Sequence, residues 1–175
     1  MNDPEPLVFE FVVDCGPDHA FDVWTARLDA WWPRDHRQSG EPSSRMELEG
    51  WVGGRLVERG PDGRIFQWGL VTRWEPPRSL SFDWHPTSGP DGPTAVELTF
   101  TRIGTPVDGP GGRPVDASAG VGPADRTAVR LVHTGWERFG LEAEGRRSRN
   151  QQGWEDLLPH YRRAADLCSP DSPIT

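Results

Sequence analysis

The chain has 175 residues, of which 34% are hydrophobic, and a net charge of −8, which is enough length for one domain with a real core. The negative balance argues against a general nucleic-acid or anionic-membrane surface, since both need positive potential. All nineteen basic residues are arginine, so Schiff-base lysine chemistry and the lysine of a phosphate-binding loop are excluded outright.

Residues 7–14, LVFEFVVD, read as a strand with Leu7, Phe9, Phe11 and Val13 on one face. Gly16-Pro17-Asp18 breaks it, and Asp18 is a suitable N-cap for a helical stretch with Ala20, Val23, Trp24 and Leu28 on its stripe. Pro33 ends that stretch directly after Trp31-Trp32. Neighbouring side chains point different ways on a helix, so the two rings hardly serve one core face. One of them needs another surface to cover, such as a cavity mouth or a partner.

From 44 to 103 the pattern changes to short strands. Met46 and Leu48 share a face in RMELE, and RLVERG is followed by the hairpin signal Pro61-Asp62-Gly63. Phe66, Trp68, Leu70 and Trp74 fall on one parity of the next strand, where Gly69 suits a bulge or a close backbone approach. Leu80, Phe82 and Trp84 then share a face, as do Val96, Leu98 and Phe100. Residues 104–125 are dense in glycine and proline and are expected to form a long mobile loop between two strands. Val129, Leu131 and His133 resume the strand alternation.

The last element is a long helix with Trp154, Leu157, Leu158 and Tyr161 on one stripe. Ser148-Arg149-Asn150-Gln151 either caps this helix or lies within it. Gly153 is expected to let the helix pass close to the sheet, and residues 169–175 read as a disordered tail. Arg146-Arg147 and Arg149 look like a solvated helix start. Domain organisation is expected to be one unit over 1–168 with the 104–125 insertion.

This order predicts an α+β fold. A curved antiparallel sheet of about seven strands is wrapped around a long C-terminal helix, with two short helices after the first strand. A strongly twisted sheet cannot touch a straight helix along its whole length, so a space lined by aromatic side chains is expected between them. Nine tryptophans, each able to bury roughly 150–250 Å², supply such a lining.

The chain resembles the START-like (SRPBCC, helix-grip) superfamily and, within it, bacterial proteins related to the C-terminal domain of the activator of Hsp90 ATPase. The resemblance covers roughly residues 7–168. It rests on Ala20-Phe21 through Trp24-Thr25, Trp31-Trp32-Pro33, Gly53-Gly54-Arg55, Glu58-Arg59, Asp62-Gly63, Trp68-Gly69 and Trp74-Glu75-Pro76-Pro77. It continues in Phe82 through Pro86, Val96-Glu97, Leu131 through Trp136 and Gly153-Trp154. What the resemblance implies is a cavity between sheet and helix that receives an apolar or amphipathic small molecule. The 104–125 insertion departs from the family pattern.

On this reading Trp32 stands at the cavity mouth, and Phe66, Trp68, Phe82, Trp84, Trp136, Trp154 and Leu157 form its wall. His133, by its parity with Val129 and Leu131, points inward, either toward a ligand or into a buried hydrogen bond. Glu58 either shares the inward face with Leu56 or leaves it to Val57 and meets water. Three functions stay open. The first is a module that binds a small apolar or amphipathic molecule. The second is a cyclase- or dehydratase-like enzyme using His133 and Glu58 for proton transfer in the same cavity, and the third is an Hsp90-activator-like interaction module. No histidine pair has metal-ligand spacing and no nucleophile elbow occurs, so neither metal nor cofactor is expected. Cys15 and Cys168 have no redox spacing. The sequence contains no signal-peptide pattern and no apolar run long enough to span a membrane, so a cytoplasmic setting without membrane insertion is expected. Edge strands are compatible with a homodimer.

Overall fold

The computed structural model describes residues 4–85, 92–103 and 125–167. The expected loop, apart from Asp125, and the expected tail lie outside these residues. Strand β1 (Leu7–Val13) is followed by helix α1 (Pro17–Trp24), helix α2 (Leu28–Trp31) and a 3₁₀ turn (Arg34–His36). Six strands come next: β2 (Arg45–Leu48), β3 (Arg55–Arg59), β4 (Ile65–Glu75), β5 (Ser79–Trp84), β6 (Thr94–Ile103) and β7 (Arg126–Thr134). A second 3₁₀ segment (Trp136–Glu142) leads into helix α3 (Ala143–Asp166).

The seven strands form one antiparallel sheet in the order β1-β7-β6-β5-β4-β3-β2. The sheet curls as a half-barrel around α3 and is the α+β, helix-grip architecture expected from the strand and helix periods. No helix among the described residues is long and apolar enough to cross a membrane.

Local chemistry adjusts three expectations. The N-cap of α1 is Gly16, with Pro17 at the first helical position and Asp18 in the first turn. Proline needs no partner for a missing N–H and is preset for that place. The helix then breaks at Thr25, whose hydroxyl donates to the Phe21 carbonyl at 2.7 Å and competes with the backbone ladder. Finally, α3 starts at Ala143, so residues 148–151 lie inside it and cap nothing.

The sheet is irregular in two places. The register of β3 with β4 shifts between Leu56 and Val57, where Trp68 stands between the paired residues Gln67 and Gly69. Inward parity along β4 therefore passes from Trp68 to Val71, which is buried where strict alternation favours Leu70, and a second shift follows between Val71 and Arg73. Leu56, Val57 and Glu58 of β3 are all buried. Gly69 permits a close approach between β4 and β5: a Cβ there would stand 2.2 Å from the Asp83 carbonyl oxygen. On the inner face beside it, the Trp68 and Trp84 rings lie 5.5 Å apart.

Helix α3 buries Trp154, Leu157, Leu158, Tyr161 and Ala165. Tyr161 fixes its C-terminal half, donating to the Ala20 carbonyl at 2.9 Å and packing edge-on against Trp24, Trp31 and Phe11.

Candidate functional site

The Trp31-Trp32 pair divides as the helical geometry requires. Trp31 turns into the core, where its indole N–H donates to the Val23 carbonyl at 2.8 Å and its ring lies 5.0 Å from Trp24. Trp32 turns the other way and meets Trp68 at 5.4 Å and Trp84 at 6.4 Å. Trp84 in turn meets Trp154 of α3 at 5.2 Å.

These four indoles surround an open-mouthed cavity of about 120 Å³ between α3 and the strands β4 and β5. Leu157, Gly153, Asn150 and Arg149 complete its helical side, and His36 stands on the side of the 3₁₀ turn. Most of the expected space between helix and sheet is therefore filled with tryptophan. The hollow that remains is close in size to a roughly 150 Å³ cavity that takes up benzene. It is smaller than the roughly 300–1,000 Å³ of drug-sized pockets.

The polar groups around these rings are almost all committed. The Trp84 indole N–H donates to Asn150 Oδ1 at 2.9 Å, and Asn150 Nδ2 donates to the Arg146 carbonyl at 2.9 Å, which ties β5 to α3. The Trp32 N–H donates to the His36 carbonyl at 3.4 Å. The Trp154 N–H donates to His133 Nδ1 at 3.0 Å. Trp68 differs: its N–H has no partner among the described residues, although the side chain is only 7% exposed.

His133 sits behind the cavity and not on its surface. An indole can only donate, so Nδ1 accepts from Trp154 and the proton of the neutral imidazole is on Nε2. Nε2 lies 2.7 Å from Thr94 Oγ1, which donates onward to the Trp84 carbonyl at 3.1 Å. Burial lowers the His133 pKa to about 3. The imidazole is thus a neutral, fully hydrogen-bonded strut that fixes Trp154 and, through Thr94, the end of β5. Trp136 covers its other face, 4.3 Å away.

Glu58 is fully buried, on the inward side. It accepts the backbone N–H of Gln38 at 2.7 Å and that of Ser39 at 3.2 Å, together with the Ser39 hydroxyl. Burial is the largest single influence on its pKa and acts upward. The hydrogen bonds from Ser39, Ser44 and the two backbone N–H groups together outweigh it and hold the carboxyl below its ordinary value. Arg37 works beside it, donating to the Ser44 carbonyl, to Asp29 at 2.9 Å and to the Trp32 carbonyl at 3.4 Å. Two buried charges thus organise the segment that follows Trp32 and set where that ring stands.

The proton-transfer pairing of His133 with Glu58 is not formed. Strands β6, β5 and β4 lie between β7 and β3, neither side chain lines the cavity, and each is occupied by its own partners. Of the other expected wall residues, Trp32, Trp68, Trp84, Trp154 and Leu157 line the cavity. Phe82 and Trp136 are buried in the core behind it. Phe66 lies outside it on β4, half-buried, with the Arg64 guanidinium 5.9 Å from its ring centroid.

His36, Arg149, Asn150 and Gly153 line the cavity without having been expected there. Asn150 and Gly153 precede Trp154 and Leu157 at the i, i+3, i+4, i+7 spacing, so extending that stripe backward would have found both. A Cβ on Gly153 meets nothing within 4 Å. Gly153 therefore leaves space beside Trp154; it does not serve the close helix–sheet contact expected of it. Among the described residues, no group of three or more His, Cys, Asp or Glu side chains is placed to hold a metal ion.

The same fold recurs in solved structures. The self-sacrificing resistance protein CalC from Micromonospora echinospora is 19% identical, over 95% of this chain and 97% of that one, with a TM-score of 0.59. The Aha1 dimer from Colwellia psychrerythraea is 14% identical over 94% and 98%, with a TM-score of 0.56. The anthrahydroquino-gamma-pyrone synthase Txn09 is 24% identical over 91% and 96%, with a TM-score of 0.54. At these identities the likeness shows the fold alone, which is START-like. No curated protein matches the sequence. The family described as "Activator of Hsp90 ATPase homolog 1-like protein" matches residues 14–107, more than half of the chain, and the chain belongs to that family.

Proposed function

We propose that the protein is a binding module that takes a small apolar or amphipathic molecule into the space between α3 and the sheet. The observation that carries this reading is the convergence of Trp32, Trp68, Trp84 and Trp154 on a hollow that opens to solvent. Four indoles with no ligand to receive would gain dispersion energy by closing onto one another. Here Gly153 keeps one side bare, and Asn150 holds the Trp84 ring against α3. The solved structure of Txn09, on the same fold, is a complex with the compound SUM, which supports the reading by analogy of fold only.

The cyclase-like reading has less support, because the two groups it needs stand apart and are already hydrogen-bonded. Native mass spectrometry of freshly purified protein is expected to show a co-purifying small molecule. Tryptophan fluorescence is expected to respond to single-ring aromatic compounds in the parent chain and not in Trp32→Ala. If no adduct appears and no aromatic probe changes the fluorescence, the binding reading fails.

A further inference from the structure

The polar groups at the cavity are already engaged, with one cationic exception. Asn150 uses its oxygen once and its nitrogen once, and three of the four indole N–H groups have acceptors. The Trp68 N–H also lacks a partner but is sealed from solvent, which leaves the guanidinium of Arg149 at the rim. A ligand that satisfied it would present acceptor atoms, and the cation favours a negative charge among them.

Arg149 is one of several described arginines without a carboxylate partner in a chain of net charge −8, and it is the one that lines the cavity. Most described arginines are paired with a carboxylate. Its helix neighbours Arg146 and Arg147 reach Glu142 at 3.0 Å and Glu144 at 3.7 Å, and on the sheet Arg55 and Arg130 reach Glu49 and Glu10. Arg149 forms no ion pair among the described residues. The sequence explains this, because the positions three and four away on the helix are Arg146, Gln152, Gly145 and Gly153, and none can supply a carboxylate. The result is an unneutralised cation held beside an indole-lined hollow about one aromatic ring in size.

We propose that the ligand class is a monocyclic aromatic acid, with its ring between the indoles and its carboxylate directed outward to Arg149. This rests on the cavity-binding reading above and narrows it. Indole faces favour a flat ring in offset or edge-on contact. A carboxylate at the rim keeps part of its hydration while gaining charge-assisted hydrogen bonds.

The test compares three probes by tryptophan fluorescence: benzoate, its neutral counterpart benzyl alcohol, and cyclohexanecarboxylate, an acid without an aromatic ring. Benzoate is expected to bind up to about fivefold more tightly than benzyl alcohol, in line with a rim ion pair of up to roughly 1 kcal/mol, and several-fold more tightly than cyclohexanecarboxylate, through its aromatic contacts with the indoles. Arg149→Met, an exposed position whose loss leaves the core intact, is expected to remove the preference for benzoate over benzyl alcohol. Equal binding of benzoate and benzyl alcohol, or full benzoate affinity in Arg149→Met, would overturn the acid and leave the cavity reading standing. Cyclohexanecarboxylate binding as well as benzoate would overturn the aromatic part. Failure of all three probes would overturn this inference together with the reading beneath it.

Discussion

The two halves of α3 use the same kind of residue for opposite ends. Around Tyr161 the aromatic side chains close completely: Trp24, Trp31 and Phe11 meet the phenol ring. The Trp31 N–H and the Tyr161 hydroxyl each find a backbone carbonyl of α1. Around Trp154, one to two turns earlier, four indoles leave a hollow, one N–H goes without a partner, and the rings are held by side chains such as Asn150 and His133. Rings packed onto one another make a core. Rings set around a gap make walls, two of them held by side chains and Trp32 by the His36 carbonyl, and the gap separates a site from a packing cluster.

Adjacent residues allow the comparison to be broken most directly. Trp31→Ala opens a void in the closed half and is expected to cost about 3–5 kcal/mol. Trp32→Ala enlarges a hollow that water can already enter, and its expected cost is about 1–3 kcal/mol. Urea unfolding of both variants checks this. Equal costs would mean that the half around Trp154 is as much a core as the half around Tyr161, and the distinction would collapse.

How much of this was legible beforehand follows the range of the interactions. The order of strands and helices along the chain and the stripe Trp154-Leu157-Tyr161 follow from local alternation and helical period, whereas the pairing of β1 with β7 joins distant segments. Adjacency alone sends Trp31 and Trp32 different ways and does not say which of them meets the hollow. The place of Phe66 was not legible, because parity along β4 is interrupted at Trp68, between Gln67 and Gly69, and says nothing about how far along a strand a cavity extends. Glu58 was undecidable because Leu56, Val57 and Glu58 are buried in succession, so neither parity of β3 meets water. His133 is buried, as its parity with Val129 and Leu131 implies, but it does not face the cavity as expected. Its partners Thr94 and Trp154 come from residues 39 and 21 positions away, and no spacing rule announces them.

The supports of the two walls can be separated by acid. Glu58→Gln turns an N–H₂ toward the backbone donors of Gln38 and Ser39 and is expected to cost about 1–3 kcal/mol. In the parent the contribution of Glu58 is present above its ordinary value of 4.5 and is lost as pH falls through the lower folded value. His133 acts over a higher window. Its folded pKa of about 3 lies below the ordinary 6.5, so the unfolded chain binds the proton first. Stability then declines as pH falls from 6.5 toward 3, at most by about 1.4 kcal/mol per pH unit. His133→Gln keeps one donor and one acceptor but does not titrate. Its chemical denaturation midpoint is expected to be flatter across that window than the parent's, and a variant as acid-sensitive as the parent between pH 6 and pH 4.5 would show that His133 is not the group responsible.

The smallest expected effect is the most discriminating, because it points in two directions at once. Glycine inside a helix costs about 0.5–1 kcal/mol relative to alanine. Nothing packs where the Gly153 side chain would be, and its backbone has no left-handed torsion that would demand glycine. Gly153→Ala should therefore stabilise the fold by about that amount, seen as a higher denaturation midpoint. The same methyl group would project into a hollow of about 120 Å³ and should weaken the binding of a single-ring probe. A variant that gains stability and loses affinity identifies Gly153 as a residue kept for space. Gain of stability with unchanged affinity would place the ring elsewhere, and loss of stability would show that the helix tolerates no side chain there and that the glycine belongs to packing after all.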